Sequence, residues 1–432
     1  MDGLIYALGV VLFAVGVLVS IALHEVGHLL PAKKFGVKVT QYFVGFGKTV
    51  WSVRRGETEY GLKAIPLGGF VKLVGMYPPH PGDAPTTVRE SNTGLFTQLI
   101  SDARSLEYEQ VEPGDEKRLF YQKPWWQKLI VMAGGPLVNI GIALVLFTIA
   151  FTLLGAQMPT TTVNAVSECA IPADRSDQTC QPGDPKTPAN KAGLRPGDKV
   201  VSFGGHPVDS WDELTELIRD NGDDTATIVL DRNGKEIAKR VETVVSVRPS
   251  LDEPDEFKKV GFLGISPTSE HQHQDMGFVF TTMGEYTTAT ADAIVHLPQK
   301  MVEVADAAFG GVREKDSPMS VVGAGRVAGE MVTIDDTTWT DRAFRLITLV
   351  AAVNLFIALL NLIPLLPLDG GHIAGAIYEA LRRGLAKIFR KPDPGYVDVA
   401  KMLPVAYAVG AVLLAMGVLL IYADIVNPVT LT

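Results

Sequence analysis

The chain has 432 residues, of which 47% are hydrophobic and only 20% charged, and its formal net charge is −9. A soluble protein of this length usually carries more charge. The acidic balance, without any Lys/Arg stripe interleaved with aromatics, argues against a nucleic-acid partner.

The first element is an apolar run over 4–23, expected to continue as helix to about Leu30 and to stop at Pro31. Its only early charge is Asp2, and it flows into His24-Glu25 instead of a small-residue cleavage site. It therefore reads as a retained membrane helix and not a signal peptide. His24-Glu25-Val26-Gly27-His28 is an HExxH pattern on that helix. Histidines four apart project from one face. The spacing suits two imidazole ligands on one Zn²⁺, with Glu25 beside them as general base. The competing reading is a pair of interfacial histidines facing lipid headgroups. That reading leaves expensive groups at the end of an apolar span without a purpose.

Residues 37–76 read as short strands. Within them 61–76, GLKAIPLGGFVKLVGM, predicts a hairpin turning at Gly68-Gly69. So apolar a hairpin is expected to dip into the bilayer, where its backbone must be paired or buried in protein. Gly68, Gly69 and Phe70 are then candidates for offering a strand edge to an extended substrate. Residues 78–128 read as a cytoplasmic insertion, Pro-, Ser- and charge-rich and mobile as far as 120.

A second span covers 129–154, with Gly134-Gly135-Pro136 as an early interruption. Residues 156–265 predict a compact domain outside the bilayer, with a helix near 211–219 and strands at 226–231 and 237–247. Cys169 and Cys180 lie in it, in no CxxC or Cys/His cluster, so a disulfide and two unpaired thiols both stay open. Residues 266–343 read as a linker with an amphipathic helix.

The third span, 344 to about 363, ends in Asn361-Leu362-Ile363-Pro364-Leu365-Leu366-Pro367-Leu368-Asp369-Gly370-Gly371-His372. A catalytic zinc needs a third protein ligand and an open position, and Asp369 is the candidate. Its alternatives are a capping role for Asp369 and ligation by His372. Asn361, with Asn354 seven residues earlier on roughly the same face, is a candidate substrate or oxyanion contact. Interhelical hydrogen bonding is the alternative for both. A basic loop over 371–402 precedes the fourth span, 403–425. Each span approaches the ~20 residues that cross a bilayer. Lys33, Lys34, Lys38, Lys123, Lys128, Arg382, Arg383, Lys387, Arg390, Lys391 and Lys401 all flank the spans on one side if these alternate. That side is expected to be cytoplasmic, with the metal site towards it and with both termini and 156–343 outside.

In these residues the chain resembles the site-2 protease family of intramembrane zinc metalloproteases, in its bacterial form with an extracytoplasmic PDZ domain. The resemblance rests on HEVGH at 24–28, VGFGK at 44–48, IPLGGFVKLVGM at 65–76, AGGPLVN at 133–139, AGLRPGD at 192–198 and NLIPLLPLDGGH at 361–372. It implies a polytopic α-helical protein of the bacterial plasma membrane, with four transmembrane helices, a membrane-associated β-hairpin and one PDZ-like α+β domain. It implies one catalytic Zn²⁺ held by His24, His28 and Asp369, with Glu25 as base and Asn361 as substrate or oxyanion contact. The implied activity is regulated intramembrane proteolysis of single-pass transmembrane proteins, such as anti-sigma factors or remnant signal peptides, within membrane lipid. Some relatives carry two PDZ domains in tandem, where one is found here. The Cys169–Cys180 insertion and the 78–120 loop depart from the pattern. The other classes weighed are a non-hydrolytic metal-binding or transport protein, a PDZ membrane scaffold, and a zinc protease of soluble peptides. No inverted repeat supports transport, and a scaffold leaves HExxH and Asp369 unused.

Overall fold

The computed structural model describes residues 2–79, 94–109, 111–171, 175, 177, 179–251, 256–314, 316–334 and 337–430. The chain forms two compact units, Met1–Leu154 with Gln274–Thr432, and Gly155–His273.

The first unit opens with α1 (Asp2–Lys34), which runs through Pro31 instead of stopping there. Proline has no N–H for the carbonyl four residues back. That carbonyl belongs to Gly27, and it lies against Gly134 of α3 (Trp125–Thr148). The missing bond thus falls where a second helix packs closely. Between α1 and α3 come two long antiparallel strands, β1 (Val39–Arg55) and β2 (Thr58–Leu73). They turn at Gly56-Glu57, where Gly56 takes φ 63° and Arg55 pairs with Thr58. The expected turn at Gly68-Gly69 is therefore corrected. Val44 opposes Gly69 while Phe46 opposes Ile65, so 66–68 bulge opposite Gly45, and Gly68 at φ 98° supplies the bend.

The expected mobile insertion is corrected as well over the part described. It carries α2 (Leu95–Tyr108), which is fastened through its C-terminal part. Tyr108 Oη donates to the Tyr77 carbonyl at 2.8 Å, and Arg104 pairs with Asp398 at 2.6 Å. Residues 80–93 of that insertion lie outside the described residues. Gly134-Gly135-Pro136 does not interrupt α3, which ends in a π-helical stretch, Ile149–Leu154.

After the second unit the chain continues as α6 (Met276–Ala308), α7 (Val321–Thr333), α8 (Trp339–Asn361), α9 (Asp369–Ile388) and α10 (Leu403–Val426). The expected single-helix linker is thus two helices. The second packs Ala328 into one cluster with Phe13 and Val17 of α1 and Val350 of α8. Among the described residues four helices are long and apolar enough to cross a membrane: Gly3–Lys34, Trp125–Leu154, Trp339–Asn361 and Val399–Val426.

The second unit contains β3 (Ala156–Val166), α4 (Pro188–Ala192), β4 (Lys199–Phe203), β5 (His206–Pro207), α5 (Trp211–Asp220), β6 (Thr225–Arg232), β7 (Lys235–Glu242), β8 (Val244–Pro249), β9 (Phe257–Phe262) and β10 (Ile265–Gln272). The main sheet has the order β10-β3-β4-β6-β7, with β5 on β4, and β8 and β9 pair separately. Val200, Phe203, Leu214, Ile228, Leu230 and Leu263 fill its core, each burial contributing roughly 1.5–3 kcal/mol. The expected strand over 237–247 divides at Thr243, a buried residue whose hydroxyl accepts from Asn221 and donates to the Asp224 carbonyl. In the 192–198 segment Gly193 ends α4 at φ 69°. Asp198, 1% exposed, accepts from Arg232 at 2.6 and 2.7 Å and from the Arg195 N–H at 2.8 Å. That aspartate is a structural brace. Cys169 and Cys180 are joined by a disulfide.

Candidate metal centre

The helical period of α1 stacks His24 and His28 one turn apart on the face towards α3, both buried. The third member, Asp369, is the first residue of α9. The cap position is Leu368, without a side-chain cap bond, so capping is not what Asp369 does. His24 Nε2 and His28 Nε2 are 3.3 Å apart, and each is 3.3 Å from Asp369 Oδ2. Three donors at ~2.0–2.1 Å from one tetrahedral zinc ion stand about 3.3 Å from each other. The triangle therefore has the size that one zinc ion needs.

Its chemistry agrees. His28 Nδ1 lies 2.8 Å from the Val131 carbonyl, which can only accept, so Nδ1 carries the proton. The Nε2 of the neutral ring then presents a lone pair to the triangle. A lone pair and a carboxylate oxygen converging in a buried place call for a cation between them. Asp369 Oδ2 has no hydrogen-bond partner among the described residues. Gly135 of α3 leaves room for the rings, because a Cβ there would overlap His28 Nε2 and stand 2.7 Å from His24 Nε2. Among the described residues this is the one grouping of three or more His, Cys, Asp or Glu side chains that could hold a metal.

Glu25 follows His24 and is 8% exposed. Strand β2 passes directly over it, and a Cβ on Gly69 would stand 2.9 Å from Glu25 Cγ. The other residues singled out from sequence separate into those near and those away from this centre. Phe70 stacks between Phe43 and Phe46, with ring centroids 5.7 and 6.3 Å away, and Gly68 packs against the Phe46 ring. Asn354 is fully buried and donates to Ser20 Oγ at 2.9 Å and to the Val350 carbonyl at 2.8 Å. Its amide thus ties α8 to α1 one turn before His24, as the interhelical alternative expected. Asn361 is the last residue of α8, half-buried, ahead of the turn leading to Asp369. His372 lines a cavity of about 20 Å³, room for one water, with Lys128, Tyr121 and Glu379.

Sequence reasoning missed Gly135, the Val131 carbonyl and Lys128. The available signal was the run of small residues at 133–135 inside a span, the usual mark of close helix packing. It also missed Asn139, fully buried in α3, whose amide groups have no partner among the described residues.

Two imidazoles and an adjacent buried glutamate on a helix able to cross a bilayer, met by a carboxylate that follows another such helix, define a membrane metallohydrolase. The chain belongs to peptidase family M50, whose family model matches residues 12–391. The zinc metalloprotease Rip1 of Mycobacterium tuberculosis is 34% identical over 442 residues, covering 99% of this chain and 100% of that protein. Rip1 of Mycolicibacterium smegmatis is 32% identical over the same shares. A putative zinc metalloprotease of Mesorhizobium japonicum is 27% identical over 91% of this chain and 92% of its own length. The chain is thus a multi-pass membrane zinc metalloendopeptidase of the intramembrane type, and a catalytic zinc ion belongs to it.

Proposed function

We propose that this protein cleaves transmembrane segments of single-pass membrane proteins, anti-sigma factors or remnant signal peptides among them. In this reading His24, His28 and Asp369 hold the zinc, with Glu25 as the catalytic base. The observation that carries the assignment is the 3.3 Å triangle with Glu25 in the same helical turn. A zinc ion bound there supplies the Lewis acidity that makes water a nucleophile near neutral pH. Glu25 accepts the proton of the attacking water and delivers it to the leaving amide nitrogen. Asn361 is placed by the same reading as a donor to substrate or oxyanion. A transmembrane substrate hides its carbonyls in helical hydrogen bonds, so it must unwind before attack. The passage of Gly69 over Glu25 supports β2, with Gly68 and Phe70, as the edge that receives the extended strand.

The basic residues beside the spans support a cytoplasmic placement of the centre, with the termini and the second unit outside a bacterial plasma membrane. The compact sheet and short helices of Gly155–His273 support a PDZ-like module that screens substrates by size.

The test is Glu25→Gln in the full chain. Zinc stays at one equivalent while cleavage of a transmembrane reporter falls about 10²–10⁴-fold. A Glu25→Gln protein that still cuts, or a wild type that cuts soluble peptides as well as the reporter, overturns the reading. Deleting 161–248 in the same assay should admit untrimmed substrate; continued refusal removes the screening role.

A further inference from the structure

The histidines and Asp369 reach the triangle by different routes, and α3 mediates between them. The Val131 carbonyl of α3 accepts the hydrogen bond of His28 Nδ1–H, and Gly135 of α3 abuts both rings. Asp369, in contrast, is set by how α9 lies on α3. On α9, Asp369, His372, Ala376 and Glu379 occur at i, i+3, i+7 and i+10, one face of the helix; on α3, Lys128, Val131 and Gly135 occur at i, i+3 and i+7. At the far end of these stripes Lys128 Nζ meets Glu379 Oε2 at 2.7 Å, with side chains 9% and 1% exposed.

Beyond Ile373, which packs against a cluster that includes Val131 and Met132 of α3, apolar contact does little among the described residues to fix the register of α9. Its buried residues are Gly370, Ala376 and Glu379, two of them too small to interlock. Past Ile373, its large apolar side chains Ile377, Tyr378, Leu381 and Leu385 are exposed. A turn anchors its start, where a Cβ on Gly370 would overlap the Ile363 carbonyl. A helix held at one end can still tilt, and Glu379 is a second anchor ~15 Å along the axis. A buried ion pair is a poor source of stability, and in some proteins it sets register instead. The pair is itself held in place. Glu379 accepts from the Val397 N–H at 3.3 Å and has Arg383 at 3.5 Å, and Lys128 lies over the Tyr396 ring.

We propose that the Lys128–Glu379 ion pair is a positioning clamp that sets α9 on α3 and so holds Asp369 at the distance a metal ion requires from His24 and His28. It rests on the reading of the triangle as the zinc site. The test uses the full-length protein in lipid nanodiscs and measures the half-time of zinc loss to a chelator, the absorption spectrum of the cobalt-substituted protein, and the melting temperature. Lys128→Met with Glu379→Met keeps length and removes both charges. It is expected to melt close to wild type yet lose zinc about tenfold faster or more, with an altered cobalt spectrum and a fall in kcat at little-changed KM. The reversed pair, Lys128→Glu with Glu379→Lys, restores the attraction but sets a lysine beside Arg383, so it should recover only part of the retention. Glu379→Asp, which keeps the charge and shortens the reach, should fall between. A paired Met variant, or a Glu379→Asp protein where the former does not fold, that holds zinc and gives the cobalt spectrum of wild type overturns the clamp. His24→Ala separates the two readings: if it keeps zinc as firmly as wild type, the assignment of the triangle fails instead.

Discussion

The metal centre sits between two helix junctions built in opposite ways. The α1–α3 junction is a backbone seam, in which Gly27 and Gly134 lie so close that a methyl on either would overlap the other's carbonyl. The α3–α9 junction is held at its far end by long charged side chains, with His372, Ile373 and small residues between them and the metal end. Apolar side chains gain little from packing together in a medium as apolar as themselves, so helices there rely on close backbone approach or on polar bonds. A seam of glycines admits one separation and is intolerant of any added atom. An ion pair tolerates changes of shape as long as its charges and reach survive. The imidazole pair is thus fixed by shape, and the carboxylate by charge.

The comparison can be broken most forcefully at the seam. Gly135→Ala should abolish stoichiometric zinc, since its methyl falls where the ring nitrogens meet, and Gly134→Ala should lower stability by about 3 kcal/mol through overpacking. Zinc analysis and thermal melts check both; a Gly135→Ala protein with full zinc would show that the seam yields. A smaller effect is expected for Asn354→Ala, which removes the polar tie between α8 and α1. Transmembrane hydrogen bonds contribute about 0.6 kcal/mol, so activity should persist with a slightly lower melting temperature. A collapse of zinc binding there would mean that the seam alone does not hold α1.

The smallest effect concerns charges outside the spans, where Lys38 pairs with Asp115 and Arg118 with Glu57. The Lys38 ammonium holds the Asp115 carboxyl below the usual range, and the Arg118 guanidinium does the same to Glu57. A carboxyl with a depressed folded value stabilises above its unfolded value and loses that contribution as pH falls through the folded one. Hydrogen exchange of the amides around Lys38 and Arg118 should therefore be flat from pH 5 to 8, after correction for intrinsic rates, and quicken only below about pH 4. Quickening near neutrality would show that these pairs do not fasten the segment.

How much of this was readable in advance follows the same division. His24, Glu25 and His28 were legible because one helical period places them together. Asp369 was legible because an acid at the end of an apolar span needs a partner. The seam was not, since Gly134-Gly135-Pro136 looks like a break until another helix is laid against it. Val131 acts through its carbonyl, which every residue has, and no side-chain pattern marks it. Lys128 read as a flanking charge for the bilayer surface, yet it is buried against Glu379, 251 positions away. At Gly68-Gly69 local turn chemistry competed with pairing along a long strand, and pairing won; the chain turned at Gly56 instead.

The late place of α9 in the chain has a consequence for biosynthesis. A ribosome-bound intermediate that has delivered α1 and α3 to the membrane already carries the glutamate and both imidazoles but lacks the oxygen that completes the triangle. On the proposed ligand set, hydrolytic capacity arises only once the segment beginning at Asp369 has been made and has docked, so the unfinished polypeptide would pass through the insertion machinery as an inert precursor.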